Sequence, residues 1–299
     1  MKKQSQLVGI TVTLIAGILW GFSGACGQYI FTNFHTDPTK LTAIRLLSSG
    51  IILTAVSFIK EPKPMVEILK TKESIITLVL FSLFGLSFCQ LAFLEAIANS
   101  NAATATILQY IGPVFVMLVS CFMARRLPES LEIVAIVLAL VGTFLIATKG
   151  NIHTMVLTPA GLSWGLMSAV AVTMYTLIPV KLLKEFGSAA PTGYGMLIGG
   201  TVMTFATKAW TMEIVYSKEF FLSVAAMVIL GSIMTFTLYL KGVEICGPVK
   251  ASMLASIEPV AAAIFMVIWL KGTITPIELV GFGCVFITIF LLTRDKSHQ

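Results

Sequence analysis

Apolar residues run along this chain for about 20 positions at a time, a length that as a helix crosses roughly 30 Å of hydrocarbon. Ten such runs can be drawn, near residues 7–30, 40–59, 74–94, 98–123, 131–148, 158–180, 191–210, 220–240, 248–269 and 276–293. The breaks between them are short and carry proline, glycine, asparagine or charge, as in Lys60-Glu61-Pro62-Lys63-Pro64 and Arg125-Arg126-Leu127-Pro128-Glu129. No break is long enough to hold a soluble domain. The pattern predicts an all-α polytopic membrane protein with ten transmembrane helices. Composition agrees, since the 299 residues are 57% hydrophobic and 11% charged with a mean hydropathy of +0.95, far from soluble values.

The pattern also repeats. Residues 92–146 and 238–292 align without a gap, pairing Ala105 with Ala251, Leu108 with Leu254, Pro113 with Pro259, Val114 with Val260 and Glu132 with Glu278. Upstream the match continues with small slips: Gly85 pairs with Gly231, Gly50 with Gly200, and Ala16-Gly17 and Trp20-Gly21 with Ala160-Gly161 and Trp164-Gly165. The chain is therefore expected to divide into two five-helix units, residues 1–150 and 151–299. Because each unit holds an odd number of spans, the second must sit upside down relative to the first. Inverted repeats of this kind are a signature of secondary transporters.

Charge sets the expected orientation. The net charge of +6 does not form a nucleic-acid-binding stripe, because Lys and Arg fall between the apolar runs. With the N-terminus inside, fourteen of them face the cytoplasm and only five (Lys40, Lys149, Lys208, Lys218 and Lys271) face out, which predicts both termini cytoplasmic in a bacterial plasma membrane. Lys2-Lys3, an apolar run and Ser23-Gly24-Ala25-Cys26 loosely resemble a lipoprotein signal. However, Trp20-Gly21 recurs at Trp164-Gly165, so the segment belongs to the repeated body and no cleavage is expected. The five cysteines, scattered in apolar runs with no CxxC spacing, read as small hydrophobes.

Catalytic signatures fail on context. Gly161-Leu162-Ser163-Trp164-Gly165 fits GxSxG, but it opens a membrane helix, its repeat partner has Leu19 in place of Ser163, and His35, His153 and His298 all lie in loops or the tail. No P-loop, dinucleotide fingerprint or HExxH occurs, so no enzyme activity, cofactor or metal is expected. Gly17 with Gly21 and Gly195 with Gly199 are small-xxx-small pairs that suit close helix packing within a monomer or a homodimer interface.

Ionisable and polar positions inside the runs are the candidate chemistry. Glu258, in Ser256-Ile257-Glu258-Pro259, lies halfway along the ninth run, where an unpaired carboxylate costs several kcal/mol. It is either a protonated structural group at the Pro259 break or a carrier of protons or partner of a substrate amine. Arg45, near the outer end of the second run, reads as a snorkelling side chain. Glu95 and Lys241, equivalent in the two copies, read as interfacial. Thr106 and Tyr110 correspond to Ser252 and Ser256, and each pair has the i, i+4 spacing of one helix face. Two such stripes could line a common cavity, with Gln90, Asn99, Asn101, Thr235, Tyr239, Trp20 and Trp164 as further candidates; packing through hydroxyl groups is the alternative. Pro113 and Pro259 each remove a backbone hydrogen bond at matching positions, marking a binding site and candidate hinges.

Trp20-Gly21 in the first helix, Glu258-Pro259 in the ninth and Pro113 at its partner position, in this order over nearly the full chain, resemble the EamA family of the drug/metabolite transporter superfamily. The resemblance implies a ten-helix fold with a central cavity built largely from helices three, four, eight and nine, alternating access by rocking of the halves, and export of small metabolites, most often amino acids or derivatives. One departure stands out: the family often places an acid just after the fourth and ninth helices, where this chain has Arg125-Arg126 and Lys271-Gly272. The expected function is a secondary carrier exporting a small metabolite, with protons as coupling ion through Glu258; a passive facilitator of the same fold is the alternative.

Overall fold

The computed structural model describes residues 2–34, 36–100, 102–155, 157–270 and 273–294, and every regular element among them is helical. His35, Asn101, Lys271, Gly272, Lys296 and His298 lie outside the described residues. The first half of the chain supplies α1 (Lys2–Phe34), α2 (Pro38–Lys60), α3 (Lys72–Asn99), α4 (Thr104–Met123) and α5 (Ser130–Thr148). The second supplies α6 (Pro159–Phe186), α7 (Ala189–Thr207), α8 (Lys218–Cys246), α9 (Pro248–Trp269) and α10 (Pro276–Arg294).

Among the described residues nine helices are long and apolar enough to cross a membrane, and α7 is the one of these ten that falls short. Its 19 residues include Pro191, Thr192, Tyr194 and four glycines. Burial explains that composition, because Ala190–Met196 lie almost wholly inside the protein, where a helix need not be apolar to avoid lipid.

The helices begin where side chains can satisfy their free amides. Asp37 accepts from Thr39 N and Lys40 N at α2, Thr158 from Gly161 N at α6, and Ser217 from Phe220 N at α8. Glu132 and Glu278, paired in the sequence repeat, do matching work. The Glu132 carboxylate accepts from Glu129 N at 2.9 Å, and that of Glu278 accepts from Thr275 N at 2.7 Å. Both are 3% exposed. Arg126 donates twice to Glu132, at 2.6 and 2.8 Å, so one of the two arginines between α4 and α5 serves to hold an acid. This hydrogen bonding raises the Arg126 pKa above the usual arginine range.

Large apolar side chains lie on the outside of the helices and many hydroxyls lie inside. Ile51, Val56, Val137, Val141, Ile287 and Phe290 are exposed, whereas Ser49, Ser82, Ser168, Thr176, Ser256 and Thr288 are fully buried. That is the distribution lipid requires. Most buried hydroxyls close onto a carbonyl of their own helix, Ser82 onto Leu78 at 2.6 Å and Thr176 onto Val172 at 2.8 Å.

Helix pairing crosses between the two halves. α1 packs against α8 and α9, α6 against α3 and α4, α2 against α7, and α5 against α10. The α2–α7 contact is reciprocal and antiparallel. A Cβ on Gly50 would collide with the backbone of Leu197 and Met196, and one on Gly200 with that of Leu47 and Leu46. In α5–α10, Gly142 meets the carbonyl of Gly281 and Gly281 that of Gly142, while Thr288 donates to the carbonyl of Ala135 at 3.2 Å.

Four helices are interrupted at corresponding places. α3 and α8 widen to π-helical turns at Phe81–Ser87 and Ile229–Met234, where Ser87, Ser232 and Thr235 bond carbonyls five residues back. α4 breaks at Tyr110 and Ile111, and α9 at Ala255 and Ser256. Pro113 and Pro259 were expected to break these helices themselves. They sit instead in the first turns of the segments that follow, Gly112–Met123 and Ile257–Leu270, where a proline costs no helical bond. The interruption precedes each proline.

Candidate functional site

The two broken helices meet face to face. The Tyr110 hydroxyl, at the α4 break, donates to Oε2 of Glu258 at 3.1 Å and lies 3.5 Å from the carbonyl of Ala255 at the α9 break. Glu258 therefore enters the interior in the first turn after its break, held by a residue of the other half. Aromatic rings pack around this point. Trp20 meets Phe236 edge-on with centroids 5.2 Å apart and lies 5.1 Å from Tyr239, whose hydroxyl is 3.0 Å from that of Thr176. Tyr175 packs against both Phe236 and Tyr239.

A cavity of about 400 Å³ extends from Glu258 and Trp20, past Gln90, Gln109, Tyr175 and Phe236, to Thr42, Ile97 and the exposed Pro38 at the end of the protein away from the N-terminus. A smaller one of about 40 Å³ continues behind it, lined by Tyr110, Pro113, Tyr239, Ser252 and Glu258 among others. The larger volume suits a single small molecule.

Of the residues expected from sequence, Trp20, Gln90 and Glu258 line the larger cavity, and Tyr110, Ser252 and Pro113 the smaller. Thr106, Ser256, Trp164 and Pro259 line neither. The two polar stripes are thus not equivalent, because Tyr110 reaches the central space from one and Ser252, which is not its counterpart, from the other. Ser252 closes onto the carbonyl of Val249 at 2.9 Å, and the hydroxyl of Ser256 is buried with no partner among the described residues. Asn99 bonds the backbone and carboxylate of Glu95, Thr235 bonds its own helix, and Lys241 pairs with Glu244 at 2.7 Å.

Sequence reasoning missed Arg45. Its depth suggested snorkelling, yet it lines the cavity wall with Cys89, Gln109, Phe93 and Tyr175, which were also missed. The available signal was a cation inside an apolar run, Ala43-Ile44-Arg45-Leu46. Among the described residues no three His, Cys, Asp or Glu come together as a metal centre.

The model of the EamA-like transporter family matches residues 7–148 and again residues 159–294. The chain belongs to the EamA-like transporter family. This EamA-like transporter is 36% identical over 292 residues to an uncharacterized inner membrane transporter, YicL, of Salmonella typhimurium, covering 97% of both chains. It is 24% identical over 304 residues to a chloroplastic WAT1-related protein of Arabidopsis thaliana, covering 97% of this chain and 70% of that one. Its fold matches a solved crystal structure with a TM-score of 0.77 at 15% identity, over 96% of each chain.

Proposed function

We propose that the protein is a secondary carrier that moves a small metabolite, an amino acid or a derivative, out of the cell by alternating access, with a proton exchanged at Glu258. The observation that carries this reading is the meeting of Tyr110 and Glu258. An ionisable side chain from one half and its hydrogen-bond donor from the other join at two interrupted helices, at the inner end of a molecule-sized cavity. Relative movement of the halves would make and break that contact, which is what coupling a proton to a rocking motion needs.

In this reading residues 1–150 and 151–299 are inverted five-helix units and α7 is a tenth crossing. The reciprocal antiparallel contacts of α2 with α7 and α5 with α10, and the matched interruptions of α3 with α8 and α4 with α9, support it. With both termini on the cytoplasmic side of a bacterial plasma membrane, the cavity faces outward. The opposite end is closed by Met65, Ile68, Leu182 and Leu183, all at most 2% exposed, and by the Tyr194 hydroxyl donating to the carbonyl of Met65. The protein works as a monomer or homodimer.

Flux of labelled amino acids in proteoliposomes, with and without an imposed pH gradient, tests the proposal. Accumulation above equilibrium only when the gradient is present supports coupled transport. Flux insensitive to the gradient would make the protein a passive facilitator.

A further inference from the structure

Two charged side chains line the larger cavity, Arg45 on α2 and Glu258 on α9. None of the ion pairs among the described residues joins them. Glu258 takes the hydrogen bond of Tyr110. Arg45 is left differently, with a buried Nε that has no hydrogen-bond partner. A guanidinium stays ionised throughout the accessible pH range and offers a planar fork of donors, so an unengaged one in a membrane interior is costly unless something binds it.

The counterpart positions in the other half carry no charge. The register that pairs Gly50 with Gly200, and that the reciprocal α2–α7 contact reproduces, sets Arg45 against Gly195. The register that pairs Pro113 with Pro259 sets Glu258 against Gly112. At both counterpart positions the other half has no side chain, and neighbours fill the space: Phe81 and Leu86 against Gly195, Val172 against Gly112. A scaffold that builds the same helix pair around glycine on one side has placed a charge on the other for a reason outside packing.

We propose that Arg45 is the docking group for a carboxylate, and that the substrate is a compact organic acid or zwitterion whose apolar body lies against Trp20, Tyr175 and Phe236. Arg45 binds the carboxylate through its donor fork, in the cavity that Glu258 also lines. The aromatic side chains of the same lining give the apolar body its surface. A zwitterion presents its ammonium to Glu258, and a simple organic acid leaves Glu258 to the proton. The proposal rests on the cavity being the substrate site of the transport reading and narrows the chemistry it accepts.

The test is equilibrium binding by the purified full-length protein of three matched probes: 3-phenylpropanoate, L-phenylalanine and L-phenylalaninamide. The two carboxylates are expected to bind at least about tenfold tighter than the amide, the effect of a hydrogen-bonded charge pair. Arg45→Gln should weaken both carboxylates by about the same factor and leave the amide unchanged, which also reports that the variant is folded. Arg45→Lys, which keeps the charge but loses the fork, should recover part of the selection and decides the matter if the Gln variant does not fold. Equal binding of carboxylate and amide, failure of both carboxylates to bind, or selection that survives in the Arg45 variants overturns the proposal. Carboxylate-selective binding without flux in proteoliposomes would instead count against the transport reading alone.

Discussion

The hydroxyl of Tyr110 and the carboxylate of Glu258 lie 3.1 Å apart, each one turn or less from a break in its helix. A contact placed there senses any change in the angle between α4 and α9. The two residues join α4 of one half of the chain to α9 of the other.

Glu258→Gln keeps the shape and most of the hydrogen-bonding capacity of the carboxyl but cannot release a proton. Gradient-driven accumulation is expected to collapse while counterflow of substrate down its own gradient survives, since counterflow needs only alternation of the loaded carrier. Both are measured in the same proteoliposomes. Undiminished pH-driven accumulation by the Gln variant would remove Glu258 from the coupling step.

Gln90 lines the cavity, a place where a larger side chain has space to enter. Gln90→Trp is expected to fill the cavity, abolish flux and leave the folded yield and melting temperature near wild type. A comparable loss of folded protein would place Gln90 in the packing of α3 instead.

Glu132 caps α5 and holds Arg126. Glu132→Ala should cost about 1–2 kcal/mol, from the lost cap and from an arginine left without its acceptor. Glu132→Gln, which can still accept from the backbone, should recover part of it. Thermal unfolding in detergent reads both.

Orientation is read by labelling with a membrane-impermeant maleimide, after replacing the five native cysteines by serine. Lys149→Cys should react from outside the cell and Lys63→Cys should not, because the count of cationic residues by side is fourteen to five. External reactivity at residue 63 would reverse the assignment.

Sequence patterns carried the fold a long way and the site less far. Apolar runs located the helices because lipid tests every residue on the outside of a crossing, and the test leaves a statistical trace. α7, drawn as the run 191–210, is the weakest of these traces, since its first half is buried and its glycines and threonines answer to packing and not to lipid. Pairing Pro113 with Pro259 pointed to the right depth, but the residue that breaks a helix need not be the proline; here the ladder gives way at Tyr110 and Ala255, and the prolines start the next segment. Thr106 and Ser256 stand one turn along the helix from residues that line the cavity, yet neither lines it, because a shared face in the sequence does not fix which turn of it meets the central space. Arg45 was misread because depth along a run says nothing about whether a side chain points to lipid or to the interior.

The reciprocal approach of α2 and α7 is a single joint addressed from two places in the chain. Gly200→Ala puts a methyl group against the backbone of Leu47, which cannot move aside as a side chain can, and should lower stability by about 1–3 kcal/mol. Gly50→Ala presses on Leu197 in the same way. Once either methyl has wedged the pair apart, room for the other already exists, so the double variant should cost less than the two single costs added together. A thermodynamic cycle over these two glycines would therefore report negative synergy between residues far apart in sequence, and its size would measure how rigidly the two helices move as one body.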